Sequence, residues 1–121
     1  MVSLNSSTTN TEMDYLELSD HTNWLIDFYE QRNWYQYSPF IRLNFLTEEV
    51  GELSRAIRAI EIGRDHPGEK VKSKPELRDN LVEELADTMD QVLILCGKFD
   101  VDPEKLMMAS EKKLRSRFQK D

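Results

Sequence analysis

Two long stretches of the chain repeat their apolar residues at the three- and four-residue spacing of an α-helix. In the first stretch the repeat consists of Leu46, Val50, Leu53, Ile57 and Ile60. In the second stretch it consists of Leu81, Leu85, Met89, Val92 and Cys96. Such a repeat forms an apolar stripe along one side of a helix, suited to packing against another helix. No segment alternates apolar and polar residues with the period of a strand, so the sequence predicts an all-α fold.

Serine and proline mark the start of both long helices. Ser38 precedes Pro39, and a serine cap accepts free N–H groups while proline at the first helical position lacks a donor that would have no partner. Gly63 marks the end of this helix. For the other helix, Ser73 and Glu76 fit a capping box, in which each side chain accepts the N–H group of the other residue. These signals predict helices over 39–62 and from 73 to about 99.

Two shorter helices are predicted outside this pair. Asp20 is a suitable N-cap for a helix that ends near Asn33. Asp102 and Pro103 repeat the combination of cap and proline, and they open a helix that runs to about residue 119. The basic last turn of that helix suits the helix dipole. The predicted architecture is an antiparallel bundle of about four helices.

Length and composition limit the domain organisation. A chain of 121 residues has room for one compact domain with a core, but not for two. Residues 1–12 are polar and lack an apolar period, which predicts a flexible tail and leaves 13–121 as one helical domain. Residues 63–74 combine glycine, proline and charge without a period and predict an exposed loop. The longest apolar run, Val92 to Cys96, is far too short to span a membrane.

Charge and cysteine content exclude several classes of function. The chain has 16 Lys+Arg and 23 Asp+Glu, a net charge of −7, which argues against binding to nucleic acid or to an anionic membrane. Cys96 is the lone cysteine, so an intrachain disulfide and a zinc finger are excluded. The N-terminus has no basic segment followed by an apolar one, and we therefore expect a cytoplasmic protein.

Two acidic motifs, one on each long helix, contain the candidate catalytic groups. Glu48, Glu49 and Glu52 form the first motif, and Glu84 and Asp87 form the second. With 23 acidic residues among 121, about one motif of this kind is expected by chance somewhere in the chain. A solvated acidic face is therefore the first interpretation of either motif taken alone.

The placement of these acids on their helices favours a shared site. At about 100° per residue, Glu49 and Glu52 lie beside the apolar stripe of the first long helix, whereas Glu48 points towards water. Glu84 and Asp87 lie in the same way beside the stripe of the other helix. If the two helices pack antiparallel along their stripes, the two acidic pairs converge.

Converging carboxylates repel one another, and a divalent cation would relieve that repulsion. The ligand set is all oxygen: neither His21 nor His66 lies three residues after a glutamate, so the Glu-x-x-His element of di-iron bundles is absent. Oxygen ligands select Mg²⁺ or Mn²⁺, and Mg²⁺ retains waters and recruits substrate phosphates. The pattern therefore predicts phosphoanhydride chemistry. The predicted metal ligands are Glu49, Glu52, Glu84 and Asp87.

The two motifs, in the settings LTEEVGELSRAI and LVEELADTMDQV, resemble the MazG-like branch of the all-α NTP pyrophosphatase superfamily. The resemblance covers most of residues 20–118. It includes Gln31-Arg32-Asn33-Trp34, which looks like the family's Arg-x-Trp segment. Lys113, Arg117 and Phe118 look like the basic end of its C-terminal tail, although Leu114 stands where the family has an asparagine.

The resemblance implies hydrolysis of a nucleoside triphosphate between the α- and β-phosphates, releasing a monophosphate and pyrophosphate. The expected role is the removal of non-canonical or surplus nucleotides. Cations held by the four carboxylates would neutralise phosphate charge, orient the phosphate chain and lower the pKa of a bound water for in-line attack. The general base would be one of these carboxylates or Glu48, and the sequence does not choose between them.

Five further residues are candidates for substrate binding, each with a structural alternative. Trp34 suits stacking on a nucleobase, although aromatics at helix junctions more often belong to a core or an interface. Arg42 either faces phosphate or packs as a snorkelling or ion-paired arginine. Gln91 either hydrogen-bonds a metal-bound water or a base edge, or it is part of a polar helix shoulder. Lys113 and Arg117 either reach the triphosphate or compensate the helix dipole.

Broad apolar flanks on so small a chain predict a homodimer or a homotetramer with pockets bordered by more than one subunit, and the resemblance implies the same. Two other functions compete with hydrolysis. One is a non-catalytic helical interaction module with a degenerate site, in which the acids merely solvate the bundle. The other is a di-metal redox bundle, which the missing histidines disfavour.

Overall fold

A computed structural model of the protein describes residues 16–63, 68 and 71–118. These residues contain α1 Leu18–Gln31, α2 Pro39–Glu61, α3 Lys74–Lys98 and α4 Pro103–Phe118. No strand occurs among them, so the all-α class is confirmed. The predicted tail over 1–12, and part of the predicted loop over 63–74, lie outside the described residues. None of the helices in the described ranges is long and apolar enough to cross a membrane.

The predicted capping of α2 and α3 is confirmed. The Ile41 N–H group donates to the Ser38 hydroxyl at 3.3 Å, and Pro39 is the first residue of α2. At α3, the Ser73 N–H group donates to the Glu76 carboxylate at 2.8 Å, and the Glu76 N–H group donates to the Ser73 hydroxyl at 3.3 Å. Residues close in sequence satisfy the free N–H groups at these helix ends, as the sequence predicts.

The start of α1 is different from the prediction. Asp20 lies in the first turn and Glu17 is the N-cap, so the prediction of Asp20 as the cap is wrong. The physical reason is a contact with α4, where the Glu104 carboxylate accepts the Ser19 N–H group at 3.1 Å. A distant side chain thus satisfies a first-turn donor that a local cap would otherwise serve. At α4 itself, Asp102 accepts the Glu104 N–H group at 3.0 Å, as predicted.

The chain divides into two compact units. One unit is Met1–Gln36 with Cys96–Asp121, and the other is Tyr37–Leu95. The expectation of one helical domain over 13–121 stays a prediction. In the first unit a Cβ on Gly97 would lie 2.6 Å from Cδ1 of Ile26, so glycine is what permits this close approach of α1 and the end of α3. Cys96, predicted to be in the core, is buried there.

In the unit Tyr37–Leu95, α2 and α3 meet through a face that the apolar repeat does not predict. The buried residues of α2 are Arg42, Ala56 and Ala59. The stripe residues Val50 and Ile57 are 48% and 45% exposed. Ile60, Leu85, Met89 and Val92 are also exposed. The prediction that the second stripe is buried is therefore wrong for Leu85, Met89 and Val92, and Val50, Ile57 and Ile60 of the first stripe are left exposed by the chain.

The reason lies in where the small and polar residues fall on α2. On a helical wheel Ala56 and Ala59 lie about 80° and 140° from Leu46, in the same direction as Glu49 and Glu52. Alanine leaves room for a neighbouring helix on that side, so the acidic pair lies on the face that meets α3 and not beside it. The apolar stripe is left on the surface of the chain.

Candidate metal centre

Three carboxylates from α2 and α3 converge in the unit Tyr37–Leu95. Glu49, Glu84 and Asp87 each offer one oxygen, and these oxygens lie within 4.8 Å of one another. The side chains are partly buried. Oxygen ligands at about 2.1 Å from Mg²⁺ lie about 3 to 4.2 Å apart in an octahedral site. Small side-chain adjustments would bring these three residues, called here the carboxylate cluster, to that spacing.

Burial and nearby negative charges raise the pKa of every member of the carboxylate cluster. Burial is the main cause of the raised pKa of Glu49, followed by the charges of Asp87 and Glu84. Burial and the charge of Asp87 raise the pKa of Glu84, while the Arg55 cation opposes this shift. Burial is also the main cause of the raised pKa of Asp87. A cation among these groups would favour their charged form and reverse the shifts.

Glu52 lies next to the carboxylate cluster with its side chain directed to Arg55. Its Oε1 is 3.2 Å from Nη1 of Arg55. Its charge still contributes to the raised pKa of Glu49 and of Glu84, which shows that it is close to both. The role of Glu52 as a fourth metal ligand stays a prediction, as does the role of exposed Glu48 as a general base.

Arg42 and Gln91 form a buried contact in the same unit. Arg42 is 3% exposed and Gln91 is 7% exposed, and Nη1 of Arg42 donates to Oε1 of Gln91 at 3.3 Å. The guanidinium carbon lies 4.7 Å from the ring centre of Phe45 and 5.6 Å from that of Tyr37. This contact leaves both the substrate-binding and the structural alternative open for each of the two residues. Their contacts with substrate stay predictions.

The remaining candidates for substrate binding belong to the other unit. Trp34 is 43% exposed, and its ring packs edge-on against Tyr29, with 5.4 Å between the ring centres. Lys113 and Arg117 are exposed on α4. The predicted contacts of these three residues with a nucleotide stay predictions.

Sequence reasoning misses a polar cavity that adjoins the carboxylate cluster. This cavity has a volume of about 220 Å³. Its lining residues are Glu52, Arg55, Ala56, Lys72, Asn80 and Glu84. The available signal is the spacing of Arg55, which follows Glu52 by three residues and so lies on the same side of the helix.

The sequence is similar to those of known proteins. The sequence matches the MazG nucleotide pyrophosphohydrolase domain over residues 40–120, a range that contains the whole carboxylate cluster. It is also 46% identical over 104 residues to the uncharacterized protein YvdC of Bacillus subtilis (strain 168), covering 86% of this chain and 98% of that protein. The matched family hydrolyses nucleotide phosphoanhydrides and depends on a metal. Because the family match extends over more than half of the chain, this chain belongs to the MazG nucleotide pyrophosphohydrolase family.

Proposed function

We propose that this protein is a Mg²⁺-dependent hydrolase that cleaves (d)NTPs between the α- and β-phosphates, releasing (d)NMP and pyrophosphate. The observation that carries the proposal is the convergence of Glu49, Glu84 and Asp87 within 4.8 Å. Three carboxylate oxygens are hard ligands, which suit Mg²⁺ or Mn²⁺ and exclude a site built for soft metals. Removal of non-canonical or surplus nucleotides is the role we propose for this activity.

We propose that α2 and α3 run antiparallel along the site. Arg42 on α2 contacts Gln91 on α3. Glu49, seven residues after Arg42, lies close to Glu84, which is seven residues before Gln91. The carboxylate cluster would then lie between the buried Arg42–Gln91 contact and the polar cavity. Arg42 and Glu49 are about 10 Å apart along the helix axis. This order would place the nucleoside on the Arg42–Gln91 side of the carboxylate cluster and the phosphate on the side of the polar cavity.

The side chains divide the chemical work between them. Glu49, Glu84, Asp87 and Glu52 would hold Mg²⁺, which supplies neutralisation of phosphate charge and a more acidic water when it is bound. Water forms a new P–O bond at the α-phosphorus, and the bridging bond to the β-phosphate breaks, so that its electron pair leaves with pyrophosphate. One of these four carboxylates, or Glu48, would accept the proton of the attacking water.

We propose that the native protein is a homodimer or a homotetramer. Val50, Ile57, Leu85 and Met89 all remain at least 42% exposed in the unit Tyr37–Leu95. Exposed apolar residues that recur along two helices are typical of a surface that a second copy covers. Light scattering after gel filtration measures the oligomeric state. A monomer at working concentration would contradict this part of the proposal. The cytoplasmic location stays a prediction.

Pyrophosphate release from a panel of dNTPs with Mg²⁺ tests the proposed activity. Glu49→Ala and Glu84→Ala should each abolish turnover while the helical circular dichroism signal persists. Glu61→Ala, at the exposed end of α2, is the matched control and should keep full activity. Full activity in both cluster variants would overturn the assignment of the site. No release from any nucleotide by the parent protein would favour the non-catalytic interaction module.

A further inference from the structure

We infer that the polar cavity is the subsite for the terminal phosphates of the substrate, and for the pyrophosphate product, with Arg55 and Lys72 as its cationic groups. The inference rests on the proposed function and goes beyond it, because it assigns one end of the substrate to residues that hold no metal. All residues that line the cavity belong to the unit Tyr37–Leu95.

The lining of the polar cavity has the donors that an anion requires. Arg55 carries five N–H donors, and one carboxylate in a fork arrangement accepts two of them. The guanidinium can therefore contact a phosphate while it stays paired with Glu52 at 3.2 Å. Lys72 adds an ammonium group with three donors, and Asn80 adds an amide with two. The Ala56 methyl group leaves the cavity open between them.

The polar cavity and the proposed metal centre share a wall. Glu84 belongs to the carboxylate cluster and also lines the cavity, and Glu52, three residues after Glu49 on α2, lines the cavity too. An anion in the cavity would therefore lie beside the cation held by the cluster.

The two sides of the carboxylate cluster differ in chemistry, and this difference would orient the substrate. Beyond the carboxylate cluster on one side, Arg42 and Gln91 are buried against the rings of Phe45 and Tyr37. On the other side is the exposed polar cavity with its cations. A triphosphate needs donors and positive charge at its free end, and the cavity side offers both in an open space. The α-phosphate would then lie at the cluster, with the β- and γ-phosphates in the cavity.

The binding affinities of the two products, measured separately, distinguish this subsite from the rest of the site. Isothermal titration calorimetry with Mg²⁺ measures the affinity for inorganic pyrophosphate and, separately, for a dNMP. Arg55→Gln and Lys72→Gln should each weaken pyrophosphate binding about tenfold, the effect of losing one charged hydrogen bond. The dNMP affinity of both variants should stay that of the parent protein.

Arg58→Gln is the matched control, because it removes the same charge from α2 one turn further on and outside the polar cavity. It should leave pyrophosphate binding unchanged. Unchanged pyrophosphate affinity in both test variants, or an equal loss of pyrophosphate and dNMP binding, would overturn the subsite. A protein that binds pyrophosphate through Arg55 and Lys72 but hydrolyses no dNTP would keep the subsite and contradict the proposed function. If the parent protein hydrolyses dNTPs but both test variants bind pyrophosphate as the parent does, the proposed function would stand and the subsite would be wrong.

Discussion

Replacing Glu49 by glutamine should stabilise the metal-free protein and weaken its response to Mg²⁺. The raised pKa of Glu49 reflects burial and the nearby charges of Asp87 and Glu84. Its ionised form is therefore less favourable in the folded chain than in the unfolded chain. Glutamine has nearly the same shape and no charge, so Glu49→Gln removes the repulsion without leaving a cavity.

The spacing of the oxygens sets the size of the effect. At 4.8 Å, two unit charges repel by about 0.9 kcal/mol in water and by about 3.5 kcal/mol at an effective dielectric constant of 20. The carboxylates are partly exposed and salt screens them, so the value for water is the appropriate one. Glu49 takes part in two such pairs, which gives about 1 to 2 kcal/mol. For a chain of this size the melting temperature should rise by about 4 to 8 °C.

Thermal melting with EDTA and with excess Mg²⁺, at one protein concentration, measures both effects. The parent protein should gain about 2.7 kcal/mol when Mg²⁺ is at a hundred times its dissociation constant. Glu49→Gln should gain far less, so the order of the two melting temperatures should reverse between EDTA and Mg²⁺. Glu48→Gln is the matched control, because Glu48 is the weakest of the charges that raise the pKa of Glu49. Its melting temperature in EDTA should change less.

The reasoning fails if Glu49→Gln melts at or below the parent temperature in EDTA. That result would mean that the carboxylates do not repel one another across the two helices. It would also fail if Mg²⁺ stabilised the parent and Glu49→Gln equally, because the ion would then bind somewhere other than the carboxylate cluster.

Three further predictions concern pH, capping and the thiol. The raised pKa values of Glu49, Glu84 and Asp87 mean that the folded metal-free chain binds protons more tightly than the unfolded chain. The stability that these three carboxyl groups contribute is therefore present at low pH and is lost as the pH rises through their raised pKa values. Melting in EDTA, with the pH raised stepwise from the ordinary glutamate pKa of about 4.3, should show the parent losing stability relative to Glu49→Gln, and a constant difference would contradict the shifts. Ser38→Ala removes the hydrogen bond from the Ile41 N–H group and should cost about 1 kcal/mol in denaturant unfolding, whereas Ser38→Asp should keep most of the stability. Burial raises the pKa of the Cys96 thiol, so a disulfide reagent should react slowly with the native chain and quickly in urea; equal rates would show that the thiol is accessible.

The sequence predicts the starts of three helices because their caps are local. Ser73 and Glu76 are three residues apart, and the pattern of residue types specifies both of their hydrogen bonds. The start of α1 is not predictable in this way, because Ser19 is capped by Glu104, 85 residues further along the chain. Local rules describe a helix end only where the partner of each free N–H group is itself local.

The candidate site is predicted in part for a similar reason. Helical spacing places Glu49 and Glu52 on one side of α2, and the same holds for Glu84 and Asp87 on α3. Amphipathicity, however, cannot distinguish an apolar stripe that faces the interior from one left on the surface. Ala56 and Ala59 mark the face that meets α3, and small residues carry little weight in a hydrophobic pattern. The contact of Arg42 with Gln91 depends on tertiary structure and has no signal in the pattern.

Acidic residues on the face where α2 meets α3 link the survival of the protein to the composition of its surroundings. Without a divalent cation, we expect repulsion among these carboxylates to raise the population of open forms. Proteases act on such forms, and where opening is fast compared with cleavage the rate of degradation follows their population. We therefore expect the concentration of Mg²⁺, and of any nucleotide bound with it, to control how long each molecule lasts as well as how fast it works.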